Sequence, residues 1–196
     1  MAAAPLKVNF KAYQGGTFKE VLRRETAVKG YAPITGITKA APMVITSVGH
    51  GIPIGWRVKV TNVSGMKEIN SSDTYHVVTD STANTVIINA INSLGYTEYT
   101  SGGVMEYNLP ADLSTTTARM QIRSKLEDDI VILELTTENG GILVDNALKT
   151  ITIVISAVQT AGLTFSSAVY SMELIEGSEV IPFIYGSLTL EREITR

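Results

Sequence analysis

The sequence contains no cysteine among its 196 residues, and only two histidines and one tryptophan. The absence of cysteine excludes disulfides, thiolate metal sites and cysteine nucleophiles. Charged residues make up only 18% of the chain, with a formal charge of −3, so the basic excess of a free-standing nucleic-acid-binding domain is missing. No apolar run reaches the roughly 18 residues of a membrane-spanning helix. We therefore expect neither nucleic acid nor a membrane as a partner.

Short β-rich segments separated by turn residues dominate the chain. In residues 118–123, Ala118, Met120 and Ile122 alternate with polar residues, which is the period of a strand with one buried face. Helical periodicity is confined to residues 156–162, with Ser156 as N-cap and Gly162 as the stop. The pattern predicts an all-β fold, with strands in residues 42–48, 56–63, 74–79, 85–91, 118–123, 130–136, 142–144, 150–155, 167–175 and 187–193.

The composition changes twice along the chain. Residues 32–106 are rich in Gly, Thr, Asn and Tyr and poor in Leu, whereas Leu, Glu and Arg become commoner from residue 107 onward. The first 31 residues share the charge and alternation of the later block, and a hairpin of that length is not stable alone. We therefore predict that residues 1–31 pair with residues 107–196 in one β domain and that residues 32–106 form a second, inserted one.

The residue types that catalyse reactions or bind metals do not form a recognisable motif. His50 lies in a Gly-His-Gly turn and His76 in a strand, so both are expected to be structural. The acidic run 127–129 lacks the spacing of a calcium loop and is interpreted as a solvated hairpin turn. No Gly-x-Ser-x-Gly sequence is present. We expect no catalytic residue, no metal and no cofactor.

Aromatic residues are few, at 7% of the chain, and several gather in or beside the inserted block. Trp56, Tyr96, Tyr99 and Tyr107 suit either of two roles. Amphipathic rings on a surface bind sugars or proteins, and the same rings pack well in a small core. The sequence leaves both roles open.

The inserted block carries a series of spaced motifs: ITGITKA at 34–40, GHG at 49–51, GMKEIN at 65–70 and the Gly102-Gly103 pair. Together they resemble a small β-barrel module of phage tail proteins, named for its similarity to the first catalytic-cysteine half-domain (FCCH) of ubiquitin-activating enzymes. The resemblance implies that residues 32–106 form a small β-barrel. Thioester chemistry is excluded because the chain has no cysteine.

The outer segments resemble a second family. LPADL at 109–113, TARMQIR at 117–123, YSMEL at 170–174, GSLTL at 186–190 and the closing Ile194-Thr195-Arg196 are similar to the phage upper-baseplate or fibre-adaptor domain. In that family a β-sandwich docks the protein to the tail. The resemblance implies a β-sandwich of residues 1–31 and 107–196, and it favours a connector or collar piece.

These resemblances lead to a functional prediction: a structural virion protein of a phage tail, assembled in the host cytoplasm, that joins tail and fibres by protein–protein docking. Its expected partners are other tail, baseplate or fibre proteins and further copies of itself in a trimer or ring. We do not expect an enzyme. The candidate interface residues are Arg119, Gln121, Arg123 and Arg192 on the sandwich, and Trp56, Tyr96 and Tyr99 on the inserted domain.

Two alternatives belong to other functional classes. A carbohydrate-binding module for host-surface adhesion requires Trp56 and Tyr99 to be exposed. A polysaccharide hydrolase requires paired acids in a cleft, and the sequence indicates no such pair.

Overall fold

The computed structural model describes residues 4–192. The end of the last expected strand, Glu193, and the closing Ile194-Thr195-Arg196 lie outside the described residues. The prediction of an all-β fold is confirmed, since residues 4–192 contain many strands, one short α-helix and one 3₁₀ turn. No helix in these residues has the length and apolar character needed to cross a membrane.

The elements follow one another with short connections. The helix α1 is Ala157–Gly162, and the 3₁₀ turn is Lys67–Ile69. The strands are β1 (Leu6–Lys7), β2 (Phe10–Tyr13), β3 (Phe18–Leu22), β4 (Glu25–Pro33), β5 (Gly36–Ile37), β6 (Met43–Thr46), β7 (Arg57–Ser64), β8 (His76–Val77), β9 (Asp80–Ser81), β10 (Thr85–Ile88), β11 (Ser101–Pro110), β12 (Thr116–Arg123), β13 (Leu133–Thr136), β14 (Ile142–Asp145), β15 (Thr150–Ile155), β16 (Ser167–Glu176) and β17 (Glu179–Glu191).

The chain divides into two compact units, and Glu25–Ala111 is the inserted one. The other unit, which we call the host unit, comprises the described residues up to Arg24 and from Asp112 onward. It contains a large sheet with the strand order β1-β17-β16-β12-β13, in which β2 also pairs with β17, and a small sheet with the order β14-β15-β3.

Alternating strands give the host unit its β-sandwich core. Ala118, Met120 and Ile122 on β12 are at most 1% exposed, and Ile151 and Ile153 on β15 are completely buried. The strand β12 of the large sheet packs near β14 of the small sheet, and β13 packs near β15. Each fully buried Ile or Met side chain contributes about 1.5–3 kcal/mol to folding. The opposite face of the large sheet carries polar side chains such as Arg119 and Gln121 together with apolar ones such as Val169.

The helix α1 forms where the sequence indicated. The Ser156 hydroxyl accepts a hydrogen bond from the Gln159 backbone N–H at 3.2 Å. The Gln159 side-chain oxygen accepts one from the Ser156 backbone N–H at 2.9 Å, which completes a capping box. Gly162 is the last helical residue and Leu163 is the C-cap.

The inserted unit contains two four-stranded sheets with the orders β5-β6-β10-β9 and β4-β11-β7-β8. Their apolar faces share one core, which includes the fully buried Met43, Ile45, Val60 and Met105. The closure of these sheets into a single small barrel stays a prediction.

The unit boundaries differ from the predicted ones. The positions expected to separate the domains, 31/32 and 106/107, fall inside β4 and β11. These two strands pair antiparallel along their length, with Val104 opposite Pro33 at one end and Pro110 opposite Glu25 at the other. Because the two strands are hydrogen-bonded to each other along their length, the domain boundary does not fall within them at the change of composition. Both strands belong to the inserted unit.

Candidate interaction surface

Three of the candidate residues lie together on the outer face of the large sheet. Arg119, Gln121 and Arg123 alternate along β12 with the buried Ala118, Met120 and Ile122, so they point away from the core. The strand register shows which residues on the neighbouring strands lie in line with Gln121, and this line of residues runs across five strands. Residues directly opposite one another in a sheet share a face, and this row consists of Glu134, Gln121, Ser171, Tyr185 and Lys7.

Side-chain contacts hold these residues in place. The Arg119 guanidinium forms an ion pair with Glu173 at 2.7 Å. Gln121 Nε2 donates to Glu134 Oε1 at 2.7 Å, and Gln121 Oε1 accepts from Arg123 Nη2 at 2.8 Å. Arg123 Nη1 donates to the carbonyl oxygen of Asp128. Both hydrogen-bond acceptors of Arg123 are thus neutral groups, and the nearby Asp128 carboxylate interacts with its charge electrostatically without forming one of the ion pairs of the described residues.

The same face contains a groove of about 600 Å³. This volume is in the range of ligand-binding sites in proteins. Lys7 and Arg123 are the charged residues among those that line it, and no carboxylate lines it. The other lining residues are Asn9, Gln121, Leu126, Val169, Tyr170, Ser171, Tyr185, Gly186 and Ser187. The groove therefore combines two cations, several hydrogen-bonding groups and apolar surface.

The link between β1 and β2 lies directly against Gly186 at this groove. A Cβ atom on Gly186 would lie 1.8 Å from the Val8 carbonyl oxygen, closer than any side chain allows. That oxygen accepts a hydrogen bond from the Tyr170 hydroxyl at 2.8 Å, and Asn9 Oδ1 accepts one from the Ser187 N–H at 3.1 Å. Glycine at position 186 is thus required for this close approach.

The segment 124–132, which joins β12 to β13, lies beside the groove and carries exposed apolar side chains. Leu126 is 83% exposed and Ile130 is 72% exposed. The turn is tied internally by Asp128, whose carboxylate accepts hydrogen bonds from the Ser124 hydroxyl and the Ile130 N–H. These two bonds, the hydroxyl one first, lower the pKa of Asp128 below its usual value. Asp128 therefore acts as a structural acid of a hairpin turn.

The inserted unit carries a different charged cluster, and here the cations are paired. Glu106 lies 3.0 Å from Lys59 and 3.2 Å from Lys29. Their hydrogen bonds, that of Lys59 first, lower the pKa of Glu106. The Tyr75 hydroxyl accepts from Lys29 at 3.1 Å and donates to Glu106 at 3.3 Å. The two cations of this cluster thus share one carboxylate, whereas Lys7 and Arg123 in the groove form none of the ion pairs of the described residues.

Trp56 is completely buried, so the expectation that it forms a surface contact is wrong. It belongs to the same inward-facing series as Val58 and Val60, which are also fully buried. Its indole N–H donates to the Asn108 carbonyl oxygen at 2.6 Å. The ring is therefore part of the core of the inserted unit.

Tyr96 and Tyr99 are half-buried and pack against the same core. The Tyr99 hydroxyl donates to the carbonyl oxygens of Ile34 and Gly102, at 3.1 and 3.0 Å. Tyr107 is buried and donates to the His50 carbonyl oxygen at 2.9 Å. Packing in the core, one of the two roles left open by the sequence, accounts for these rings.

The remaining candidates are isolated. Arg192 is exposed just beyond the end of β17. His50 is a buried turn residue whose Nδ1 accepts from the Ile52 N–H at 2.9 Å. His76 is half-buried in β8, and burial lowers its pKa. Within residues 4–192, no group of three or more histidine, aspartate or glutamate side chains has the geometry of a metal site.

Sequence reasoning missed the residues that complete the groove: Lys7, Asn9, Tyr185 and Ser187. They come from β1, the β1–β2 link and β17, which are distant in sequence from β12. The alternation in β17 gives the direction of Tyr185, but only the strand order places it beside Gln121.

No protein-family model matches this chain, and no curated protein matches it.

Proposed function

We propose that this chain is a structural protein of a bacteriophage tail: an adaptor, collar or baseplate component that joins tail and fibres by protein–protein docking. The motifs at 109–123, 170–174 and 186–190 support this proposal through their resemblance to fibre-adaptor domains. In this proposal the protein is assembled in the host cytoplasm and becomes part of the virion, with copies arranged in a trimer or ring.

One observation carries the docking part of the proposal. The outer face of the large sheet places Arg119, Gln121 and Arg123 beside a groove and beside the highly exposed Leu126. An apolar group surrounded by arginines and hydrogen-bonding side chains is typical of a protein interface. This face is therefore the assembly contact in the proposal, in place of the aromatic residues of the inserted unit.

Quantitative mass spectrometry of purified particles from the source of the chain tests this function. The proposal expects the chain in mature particles, at a fixed multiple of three or six copies. A host-cell protein quantified in the same particles is the control for contamination. Absence of the chain from mature particles, or a copy number that varies between preparations like the contaminant, overturns the proposal.

A second candidate, carbohydrate binding, keeps one supporting observation. Tyr185 is 44% exposed in the groove beside amide and hydroxyl side chains, an arrangement on which a sugar ring stacks. The two aromatics on which the sequence-based alternative depended do not support it, since Trp56 is buried and Tyr99 packs against the core. Binding on a glycan array that is lost in Tyr185→Ala would favour this candidate over docking.

A further inference from the structure

The charge of the groove on the large sheet is not balanced by its own lining. Lys7 and Arg123 are its charged lining residues, and neither forms an ion pair with another described residue. Several other cations of the described residues do have carboxylate partners, such as Arg119 with Glu173 and Lys11 with Glu191. The groove therefore attracts negative charge in a chain whose net charge is −3.

The two cations lie on strands that are far apart in the sheet. Lys7 is on β1 and Arg123 is on β12, with β17 and β16 between them. Neighbouring strands lie about 4.8 Å apart, so three spacings separate the two strands by about 14 Å. Arg123 also lies two residues along β12 from Gln121, the residue in register with Lys7, so the two backbone positions are about 16 Å apart. The strands between them offer the Ser171 hydroxyl and the Tyr185 ring, which lie in the row of Lys7 and Gln121.

This spacing matches an extended polypeptide better than a single small anion. An extended chain rises about 3.3 Å per residue, and residues an even number apart project to the same side. Acidic residues four positions apart are therefore separated by about 13 Å and point in one direction, and the long side chains of Lys7 and Arg123 span the remaining distance. An apolar side chain of such a segment would contact Leu126 or Val169, which line the groove.

We propose that this groove binds an extended acidic segment of a partner protein, with two carboxylates four residues apart that contact Lys7 and Arg123. The inference deepens the proposed docking function and rests on it. It names the chemistry of the partner: an acidic strand-like segment that crosses β12, β16, β17 and β1.

The test uses three peptides of five residues, acetylated and amidated at their ends, added to the full chain labelled with ¹⁵N. The probe is Glu-Thr-Val-Thr-Glu. A spacing control, Glu-Thr-Glu-Thr-Val, has the same composition, and a charge control, Gln-Thr-Val-Thr-Gln, has the same length. We expect the probe to shift the amide signals of Lys7, Arg123 and Tyr185, with an affinity that falls as salt is added. Both controls should bind at least about tenfold more weakly, since losing a charge-assisted contact costs about 1.4 kcal/mol or more.

Variants locate the contact. Lys7→Gln should weaken binding of the probe about tenfold, whereas Lys19→Gln, at an exposed position of β3 in the other sheet, should leave it unchanged. Equal binding of the three peptides, equal effects of the two variants, or the same shifts with inorganic phosphate alone would overturn the proposal. Changes in the amide signals of the groove and of the acidic residues 127–129 that depend on protein concentration would also overturn it. The occupant of the groove would then be the acidic run of a second copy of this chain.

The outcomes separate this inference from the function on which it rests. If the chain is present in particles but none of the three peptides binds to the groove, the acidic-segment proposal fails and the tail proposal stands. If the probe binds at the groove but particles lack the chain, the groove proposal stands and the tail function fails.

Discussion

The roles of Trp56 and Gly186 are set by the backbone around them rather than by their residue type. Trp56 follows Gly55, which has a positive φ, and it begins the inward-facing series that continues with Val58 and Val60. The alternation in residues 56–60 already contained this information. Gly186 shows the reverse case, since nothing in the local sequence indicates that the Val8 carbonyl lies against it.

Replacing Trp56 with alanine should destabilise the inserted unit by about 3–5 kcal/mol, because the change leaves a large cavity and an unpaired Asn108 carbonyl. Chemical denaturation followed by circular dichroism measures this loss. Val48→Ala is the control, since Val48 is 73% exposed and its truncation should change stability by less than about 0.5 kcal/mol. The native protein should show blue-shifted tryptophan fluorescence that iodide does not quench. Strong quenching would contradict the burial of Trp56.

Gly186→Ala should destabilise the host unit by about 1–3 kcal/mol, because the added methyl group forces the Val8 backbone away from β17. Gly162→Ala provides a matched control in the same unit, since a Cβ atom there meets nothing within 4 Å. The control should be neutral or stabilise the protein by up to about 1 kcal/mol. Equal melting temperatures for the two variants would show that the link between β1 and β2 does not pack against Gly186 as described.

At the scale of elements, the turn between β12 and β13 has an acid-sensitive anchor. The hydrogen bonds from the Ser124 hydroxyl and the Ile130 N–H lower the pKa of Asp128 in the folded protein relative to the unfolded chain. This contribution to stability is therefore complete above the unfolded-state pKa and is lost as the pH falls through the lower folded-state pKa. The order of the turn should decline in the same acidic range.

Ser124→Ala should raise the pKa of Asp128 towards its usual value, because it removes the larger of these two effects. Carboxyl ¹³C NMR titration measures the change. Ser114→Ala is the control, since Ser114 lowers the pKa of Asp112 and should leave that of Asp128 unchanged. An unaltered Asp128 titration in Ser124→Ala would contradict the anchored turn.

The sequence allowed the strands with clean alternation to be predicted, and it failed where the signal is non-local. The strands β12, β15 and β16 were all located because each alternates or is continuously β-branched. By contrast β17 begins at Glu179, well before the predicted start at 187. It contains Pro182, which normally argues against a strand. Here the proline lies at a register shift opposite Glu173, where a missing backbone donor is tolerated.

The candidate surface was predictable only in part, for the same reason. The outward direction of Arg119, Gln121 and Arg123 follows from alternation within one strand. Lys7 and Tyr185 lie on the same face because β1 pairs in parallel with β17. The local sequence of neither strand indicates which distant strand it pairs with. Three of the four sandwich candidates thus lie on this face, but only two of the eleven residues that line the groove, Gln121 and Arg123, were among the candidates.

At the scale of the whole molecule, we expect that the inserted unit can be removed without unfolding the host unit. Glu25 lies opposite Pro110 in the β4–β11 ladder, so the two ends of the inserted unit are about 5 Å apart. A short Gly-Ser linker in place of residues 25–111 should therefore give a host unit that unfolds in a single cooperative transition. The control deletes residues 32–106, the domain predicted from composition. This deletion leaves parts of β4 and β11 in the chain and removes most of the core residues against which Tyr107 packs. We expect this control to aggregate, and equal behaviour of the two deletions would contradict the structural boundaries.

The central claim is that the outer face of the large sheet docks another protein in an assembled particle. Site-specific photo-cross-linking in purified particles tests it most directly, with Leu126→benzoylphenylalanine beside the groove and Leu148→benzoylphenylalanine as an exposed control in the same unit. The account predicts that position 126 cross-links to a different virion protein and that position 148 does not. Particles without the chain, or the same cross-linked products from both positions, would contradict it.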